Sequence, residues 1–552
     1  MITNRFLRNS ILLVVVITLF SACSKIPDHA RYIPKDAVMV TGINLKSFSK
    51  KIAWNVITGS KLYKEMHARI PEKNAQDALS GIEKSGIDFA NTIYVYAKTD
   101  NRYTGGQKVV GLVPLSDAGD WEAYVKKTFP DAAITQHGDR KETSLGQGMY
   151  IGWDKNLMII INAVSQQSDD MLGGLTASKP MDAATISAEM EAVFKTTAEN
   201  AMTGNKYFSK LEKEGHDISF FVNYEQLMGQ MSGSIAEATS MSLSGDLWKD
   251  AAFIAGVNFV KGKITADMHY YLSENMKEIG TELGSANADK DMVDRLPTQN
   301  MDMMVAVHLS PKGIKELLEK LNLLGLVNMG LAAQGMSAES VLEAFTGDMA
   351  FMMNDFSLVS EEVVDTFMNQ PVLHQTQKPN LTMTYVIKLN KKENFLKIVK
   401  MAEEMGLQKS GDAYVIPIDS KNSVHIIVGD QYVVASNKPG NAKGFLEGKF
   451  KSEKKPDAVS STVAGHPWAF YFDVQQFFKE IDPAITSTVK DSLMIIESKK
   501  LLKDISLTGG SFKDNAFEYK LDINFLNTEE NSILSLMDYS MKMNDANKKE
   551  GE

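Results

Sequence analysis

The chain has 552 residues, of which 44% are hydrophobic and 23% are charged, and it is therefore long and apolar enough for more than one globular domain. Its net charge is −10 and its basic residues are scattered, which argues against nucleic-acid binding because phosphate contacts need a basic surface. Cys23 is the only cysteine, which excludes an intramolecular disulfide and a cysteine-based zinc site.

Residues 1–22 have the pattern of a bacterial lipoprotein signal peptide. Arg5 and Arg8 provide positive charge, residues 11–20 form an uncharged apolar run, and small residues directly precede Cys23. The apolar run is shorter than the ~20 residues that a membrane-spanning helix needs. We therefore predict cleavage before Cys23 and lipidation of its thiol, which anchors the mature chain to a membrane.

The residues around the cysteine also indicate where in the cell the protein is expected. Phe20 is bulkier than the usual residue of a lipoprotein cleavage site, so ordinary secretion is the alternative to lipidation. Residues 23–30 are predicted to form a lipidated tether. By resemblance to known sorting rules, Ser24 in place of an aspartate favours the outer membrane. Because Asp28 is the only acidic residue of the tether, we favour the periplasmic face over the cell surface.

Six landmarks of the first half recur in the same order in the second half, which predicts an internal duplication. Each is a short apolar strand, a strand that leads into a helix, or a hairpin with a polar turn. The pairs are Ala37–Leu45 with Met303–Ser310, Ile93–Ala97 with Met349–Met353, Val109–Leu115 with Leu381–Leu389, Met149–Asn162 with Val424–Ser436, Ile218–Leu227 with Ala469–Phe478, and Phe253–Leu272 with Ile505–Phe525. Chance resemblance among generic strands is the alternative.

The strands follow one another mostly in hairpin-like succession, which is typical of antiparallel sheet. We therefore predict an α+β fold of two tandem units, each with helices packed on one face of a mainly antiparallel sheet. The first unit is expected over residues 31–290 and the second over residues 291–530. Residues 531–552 are expected to form a C-terminal amphipathic segment, with Ile533 and Leu536 on its apolar side, and a polar tail.

The mature sequence resembles the uncharacterised envelope lipoproteins of Bacteroidota that carry a domain of unknown function. The resemblance is carried by Cys23 after its apolar leader, by the opening Tyr32–Val38 with its Pro-Lys-Asp-Ala-Val sequence, and by the recurring strand-to-helix segments. It covers essentially the whole mature chain. It implies an exported lipoprotein and carries over no catalytic residue.

Chemical motifs are largely missing. The nine histidines form no HExxH pair, and His308 and His425 lie in strand patterns that favour a structural role. No GxSxG or GxxxxGK[ST] sequence occurs. Ser47 with Lys50, and Ser487 with Lys490, match the SxxK pattern of serine hydrolases. The SDN and KTG elements that accompany that pattern are missing, so we interpret both matches as coincidental.

Methionine and small apolar residues give the remaining hypotheses. Met301, Met303 and Met304, together with the cluster around Met349–Met353, could bind Cu(I), but their position on predicted strands favours a core role. Residues 321–338 are apolar with almost no charge, which predicts either a closely packed helix or a mobile flap. If they and residues 231–245 flank one concave surface, the protein could hold a lipid.

Taken together, the sequence predicts a lipid-anchored envelope protein with a non-catalytic binding or scaffolding role and no cofactor or metal. Its expected partners are the membrane and an envelope protein or hydrophobic ligand. A hydrophobic-ligand carrier is the first alternative, and an envelope hydrolase is the second.

Overall fold

The structure, a computed structural model, covers most of the predicted mature chain. It describes residues 26–60, 80–100, 107–146, 148–162, 164–166, 178–229, 245–367, 370–418, 422–453, 465–481 and 489–550, together with residues 63, 64, 67, 76, 455 and 459. The chain forms two compact units. The first contains the described parts of Met1–Trp54, His67–Gln226 and Ile254–Gly256, and the second contains those of Asn55–Met66, Leu227–Phe253 and Val257–Glu552. The predicted segment boundaries at residues 290 and 530 stay predictions.

The strands are numbered in chain order through the described residues. They are β1 (Met39–Asn44), β2 (Thr92–Thr99), β3 (Gln107–Pro114), β4 (Thr135–His137), β5 (Arg140–Gly146), β6 (Met149–Trp153), β7 (Leu157–Asn162), β8 (Val164–Gln166), β9 (Ser178–Pro180), β10 (Ile218–Asn223), β11 (Ala252–Val260), β12 (Lys263–Tyr271), β13 (Met301–His308), β14 (Phe345–Phe367), β15 (Gln370–Leu389), β16 (Gln408–Ser410), β17 (Ala413–Pro417), β18 (Ser423–Val428), β19 (Tyr432–Ser436), β20 (Trp468–Asp473), β21 (Leu502–Lys513) and β22 (Ala516–Phe525).

The helices are numbered in the same way. They are α1 (Leu45–Lys51), α2 (Trp54–Gly59), α3 (Ala118–Thr128), α4 (Ala183–Phe194), α5 (Lys206–Glu214), α6 (Lys277–Leu283), α7 (Lys290–Asp294), α8 (Pro311–Lys320), α9 (Leu324–Ala332), α10 (Ala338–Leu342), α11 (Lys392–Glu404), α12 (Pro439–Leu446), α13 (Val474–Phe477), α14 (Val489–Leu501) and α15 (Ser532–Glu550). Helix α15 extends through most of residues 531–552, the region predicted to form an amphipathic segment and a polar tail. None of the helices in the described ranges is both long and apolar enough to cross a membrane.

In the first unit the sheet is antiparallel throughout. Its strands pair in the order β10–β1–β2–β3–β7–β6–β5–β4. The hairpin between β6 and β7 turns where the sequence predicts, because Asp154 Oδ1 accepts hydrogen bonds from the backbone amides of Asn156 and Leu157, both at 2.8 Å.

Helices cover both faces of this sheet, so the prediction of helices on one face is not confirmed. On one face, Phe208 of α5 packs against Tyr94, with ring centroids 6.3 Å apart. On the other face, Trp121 of α3 belongs to a cluster of buried residues that includes Val113 of β3. The registers place Tyr94 opposite Leu112, so the next residue, Val113, lies on the opposite face. The continuous apolar run of β3 therefore needs cover on both sides.

The sheet of the second unit is also antiparallel. Its strands pair in the order β12–β22–β21–β20–β13–β14–β15–β19–β18–β17–β16. The buried core on one face joins Met304 and Met352 of the sheet to Met292 of α7 and Phe445 of α12. Methionines of both predicted clusters therefore contribute to this core, and the described residues contain no group of histidine, cysteine and carboxylate side chains that could hold a metal ion.

The two units have the same pairing order over eight strands. The strands β10, β1, β2, β3, β7, β6, β5 and β4 of the first unit correspond in position to β20, β13, β14, β15, β19, β18, β17 and β16 of the second. The mixture of helices and antiparallel sheet confirms the α+β class.

A buried carboxylate lies at a bulge of the central strand β13. Asp302 sits between Met301 and Met303, where the register with β14 shifts. Its Oδ2 accepts a hydrogen bond of 2.9 Å from the backbone amide of Phe356, whereas its Oδ1 has no hydrogen-bond partner among the described residues. Burial raises the pKa of Asp302 to about 6, and the nearby carboxylate of Asp355 adds to the rise.

We therefore expect Asp302→Asn to stabilise the protein at neutral pH by up to about 2 kcal/mol, since the amide removes the cost of a buried charge and keeps an acceptor for Phe356. The folded-state pKa of Asp302 lies above the ordinary value of 3.8, so wild-type stability falls as pH rises through the interval from 3.8 to about 6. Urea unfolding at pH 4 and pH 7.5 measures the free energy of unfolding of both proteins. Asp302→Asn should be more stable than the wild type at pH 7.5 and only slightly more stable at pH 4. The exposed Asp412→Asn variant is the control and should have the stability of the wild type at both pH values.

Candidate binding site

The serine of the first SxxK match is tied to a carboxylate. Ser47 lies in the first turn of α1 and its hydroxyl donates a hydrogen bond of 2.5 Å to Asp217 Oδ1. Lys51 forms an ion pair with the other oxygen of the same carboxylate, while Lys50, the lysine of the motif, is exposed. The carboxylate thus links the serine to a lysine other than the one that the motif requires. Ser487 of the second match lies outside the described residues.

A second polar group lies nearby in the same unit, around a buried carboxylate. Glu212 accepts hydrogen bonds from the hydroxyls of Tyr94 and Ser219, the latter at 2.5 Å. Burial raises the pKa of Glu212 and, together with the adjacent carboxylate, that of Tyr94. The group borders a cavity of about 60 Å³ that Asn44 and His216 also line. This volume has room for water rather than for an organic substrate.

The two histidines that the sequence places on strands have structural partners. His308 contacts the carboxylate of Asp348 through Nδ1 at 2.9 Å, and His425 contacts the hydroxyl of Ser423 through Nε2 at 3.0 Å. Each ring therefore has a hydrogen-bonding partner close in the sheet, as the sequence analysis favours.

The apolar segment 321–338 contains a helix, but the helix is not closely packed. Leu326 and Met329 of α9 are 56% and 70% exposed, and α9 has no buried residue. A cavity of about 520 Å³ in the same unit is lined by Lys312, Glu339 and other polar residues as well as by Phe345, so its wall is mixed rather than apolar. Residues 231–244 lie outside the described residues, and the proposed groove between the two segments therefore stays a hypothesis.

A long two-stranded ribbon is the most distinctive feature of the second unit, and it was not predicted from the sequence. Strand β13 pairs with β14 as far as Asn354, and β19 pairs with β15 only over Thr384–Lys388. The ladder between β14 and β15 continues for another eleven pairs, from Ser357 opposite Asn380 to Phe367 opposite Gln370. At about 3.3 Å per residue this ribbon is about 35 Å long. We call residues 357–367 and 370–380 the ribbon.

The ribbon leaves the sheet at a fixed base. The register shifts between Asn354 and Ser357, and Asp355 has a φ of 59°, so the strand bends there. The Asn354 side chain donates hydrogen bonds to the carbonyls of Pro297 and Gln299, at 3.0 and 2.9 Å. Phe356 stacks on Phe477 with ring centroids 4.2 Å apart. These contacts hold the base of the ribbon in place while the rest continues beyond the sheet.

Beyond this base, the described side chains of the ribbon have mainly cross-strand partners. Gln377 donates a hydrogen bond of 2.9 Å to the Ser360 hydroxyl, and Lys378 lies 3.3 Å from the Glu361 carboxylate. Val359 is 44% exposed. No third strand within the described ranges pairs with the ribbon. An isolated two-stranded hairpin is only marginally stable in water, and a long one with open edges is therefore a candidate binding arm.

The sequence contains a signal for the ribbon. The strands predicted at Met349–Met353 and Leu381–Leu389 are only the buried parts of β14 and β15. Residues 357–367 continue the first strand with a high content of valine, threonine, leucine and phenylalanine. Residues 370–380 follow after two residues but contain only three residues of these types, Val372, Leu373 and Thr376. The interspersed charges and prolines obscure this pattern, because they are typical of exposed edges.

Comparison with known protein families gives a match to a family model that covers residues 30–447, more than half of the chain. The chain belongs to the DUF4836 family. This family is a domain of unknown function, so membership names no activity. No curated protein matches the sequence.

Solved structures add little to the family assignment. Crystal form III of TP0453 matches this DUF4836 chain with a TM-score of 0.24 and 7% identity, over 47% of this chain and 88% of that one. Crystal form IV of TP0453 matches with a TM-score of 0.26 and 8% identity, over 48% and 88%. These similarities are too low to support a functional argument.

For the buried carboxylate we expect Tyr94→Phe to destabilise the protein by about 1–3 kcal/mol, because Glu212 would lose one of its two hydroxyl donors in a buried position. The double variant Tyr94→Phe/Glu212→Gln should recover part of the loss, since a neutral amide costs less to bury than a carboxylate. Urea unfolding followed by tryptophan fluorescence measures both. If Tyr94→Phe lowers the free energy of unfolding by the same amount in the wild type and in the Glu212→Gln variant, the two side chains are not coupled.

Proposed function

We propose that this protein is a lipid-anchored component of the bacterial cell envelope with a non-catalytic binding or scaffolding role. The observation that carries the proposal is the ribbon, a 35 Å arm by the spacing of about 3.3 Å per residue, with no third strand among the described residues. An arm of this kind offers backbone hydrogen-bonding groups and apolar side chains to a partner protein.

The proposed anchor is Cys23. Its support is the leader of residues 1–22, with a charged start, an apolar run and small residues before the cysteine. The tether that follows would hold the folded units at the outer membrane, with the periplasmic face favoured over the cell surface. Location in the cell envelope of a Bacteroidota host is part of the proposal.

We also propose that the two units descend from one duplicated α+β plan. Their identical pairing order over eight strands supports this origin. The counterparts of β14 and β15 in the first unit are β2 and β3, which have eight residues each, whereas β14 and β15 have 23 and 20. Among the residues that the structure describes, the ribbon is then an extension of the second unit alone, which favours a function specific to that unit.

A hydrophobic-ligand carrier is the second candidate. One face of the second sheet presents a row of apolar residues that face each other across neighbouring strands, with Tyr385 39% exposed. The row consists of Leu507, Phe470, Val305, Phe351 and Tyr385. A lipid chain could lie along such a row. We prefer the binding arm because the arm has open backbone edges in addition to apolar side chains.

The anchor is tested by Cys23→Ser. We expect the variant to lose incorporation of an alkyne-tagged palmitate in its bacterial host and to move from the membrane fraction to the soluble fraction, because the thiol is the only possible site of thioether lipidation. Ser24→Ala, next to the cysteine, should keep both the label and the membrane fraction. Continued labelling of Cys23→Ser would contradict the proposed anchor.

The arm is tested by replacing residues 360–377 with Asn-Gly, which closes a tight hairpin between Val359 and Lys378. We expect the wild-type chain, extracted in mild detergent, to elute in a complex heavier than the 61.0 kDa of the full 552-residue sequence, and the shortened chain to elute alone with an unchanged melting temperature. The exposed Met405→Ser variant is the control and should elute like the wild type.

Native mass spectrometry of the same extracts separates the two candidate functions. If wild-type and shortened chains elute identically, the arm is not the binding site. A co-extracted lipid retained by both chains would then favour the carrier.

A further inference from the structure

The two outer edges of the ribbon differ in their ability to accept another strand. Strand β15 carries Pro371 and Pro379 within the ribbon, whereas residues 357–367 of β14 contain no proline. Proline has no amide hydrogen to donate, and natural proteins use it to block strand addition at a sheet edge. The edge of β15 is therefore blocked near both of its ends, and the edge of β14 is open.

The register shows which amides of β14 face outward. In an antiparallel pair the residues alternate between amides that point to the partner strand and amides that point away. A proline fits at a position where the amide would point away from the partner strand. Pro371 and Pro379 are eight residues apart and therefore both occupy such outward positions. The residues directly opposite them on β14, Thr366 and Leu358, occupy outward positions as well. The outward class on β14 comprises Leu358, Ser360, Glu362, Val364 and Thr366.

The charges of β14 argue against a second copy of the chain on this edge. Glu361, Glu362 and Asp365 lie within the ribbon portion of β14. If two copies of the chain paired antiparallel through residues 357–367, the registers with the longest overlap would have their two-fold axis at Glu361, Glu362 or Val363. The first two registers place a glutamate opposite its own copy, and the third places Glu361 opposite Asp365. Like charges directly opposite each other destabilise a strand pair.

The same charges argue for the kind of partner. An acidic edge is repelled by an anionic membrane surface and attracts a basic segment. Lys378 of β15 already pairs with Glu361. Since Lys378 is the only lysine or arginine in the sequence of the ribbon, which also contains Glu361, Glu362 and Asp365, the ribbon has a net negative charge. Side chains alternate between the two faces of a strand, so Glu361 and Asp365 are on one face of β14 and Glu362 is on the other. A partner strand with lysine or arginine at alternate positions would place its charges on the face of Glu361 and Asp365 and its apolar side chains on the other face.

We propose that the outer edge of β14, residues 357–367, binds an extended basic segment of a partner protein as a third strand of the ribbon. This inference rests on the proposed binding function and specifies its edge and its partner class. The added strand converts a two-stranded ribbon into a three-stranded sheet, which is the smallest arrangement that is independently stable. Main-chain hydrogen bonds supply affinity, and the lysine or arginine side chains supply selectivity.

The test uses the full chain in detergent and two synthetic nine-residue peptides, one alternating valine with lysine and the other alternating valine with glutamate. We expect the lysine peptide to bind at least about tenfold more tightly by fluorescence anisotropy, and to slow hydrogen exchange at the outward amides of β14 but not of β15. Ser360→Pro should weaken this binding about tenfold or more, because it removes an outward amide.

Gln377→Pro is the matched control. Gln377 is the cross-strand partner of Ser360, and either substitution removes the same side-chain hydrogen bond, but Gln377 lies on the edge that proline already blocks. Binding should change by less than about twofold in this variant. Glu361→Lys/Asp365→Lys should reverse the preference in favour of the glutamate peptide.

The proposal fails if neither peptide binds, if both bind equally, or if Ser360→Pro and Gln377→Pro weaken binding to the same extent. A dimer in sedimentation experiments that Ser360→Pro dissociates would instead identify a second copy as the occupant. Binding to vesicles of anionic lipid that depends on the ribbon would identify a membrane. Loss of the native complex on shortening the ribbon, without peptide binding, would keep the proposed function and overturn only this inference.

Discussion

The antiparallel pairing of β14 with β15 is the interaction on which the second unit and its candidate site both depend. Near the sheet this ladder is central, with β13 bonded to one side and β19 to the other. Farther out, the same ladder continues with no further strand among the described residues. The same pair of strands, with a register shift between Asn354 and Ser357, therefore forms part of a buried core at one end and an open arm at the other.

The position of the change from core to arm is determined by a small group of polar residues. Asn354, buried in the second unit, satisfies carbonyls of Pro297 and Gln299 and so fixes the strand before the bend. Asp302 supplies an acceptor to the Phe356 amide after the bend, at the cost of a buried carboxylate whose pKa rises to about 6. A polar group that destabilises the fold but fixes local geometry is common where a chain leaves regular structure.

The first unit uses buried polar groups differently. Glu212 of α5 is held by Tyr94 and Ser219 of the sheet, and Asp217 joins Ser47 to Lys51 of α1. Each carboxylate accepts a hydrogen bond from a residue that is more than a hundred positions away in the sequence, Tyr94 for Glu212 and Ser47 for Asp217. Such groups fix the register of strands and helices more than they add stability. They explain why a serine in an SxxK pattern is found at a structural junction.

The sequence by itself determined the α+β class, the antiparallel hairpins and the position of the main strands along the chain, because alternating apolar residues and turn residues such as Asp154 act over a few neighbours. It also gave the structural role of His308 and the core position of Met304 and Met352. Only the tertiary structure decided that helices cover both faces of the first sheet, that α9 is exposed, and where the Ser47 hydroxyl points. The length of the ribbon was likewise decided there. Whether a strand of valines and glutamates ends at the sheet or continues beyond it depends on which strands pair beside it, and those partners are distant in sequence.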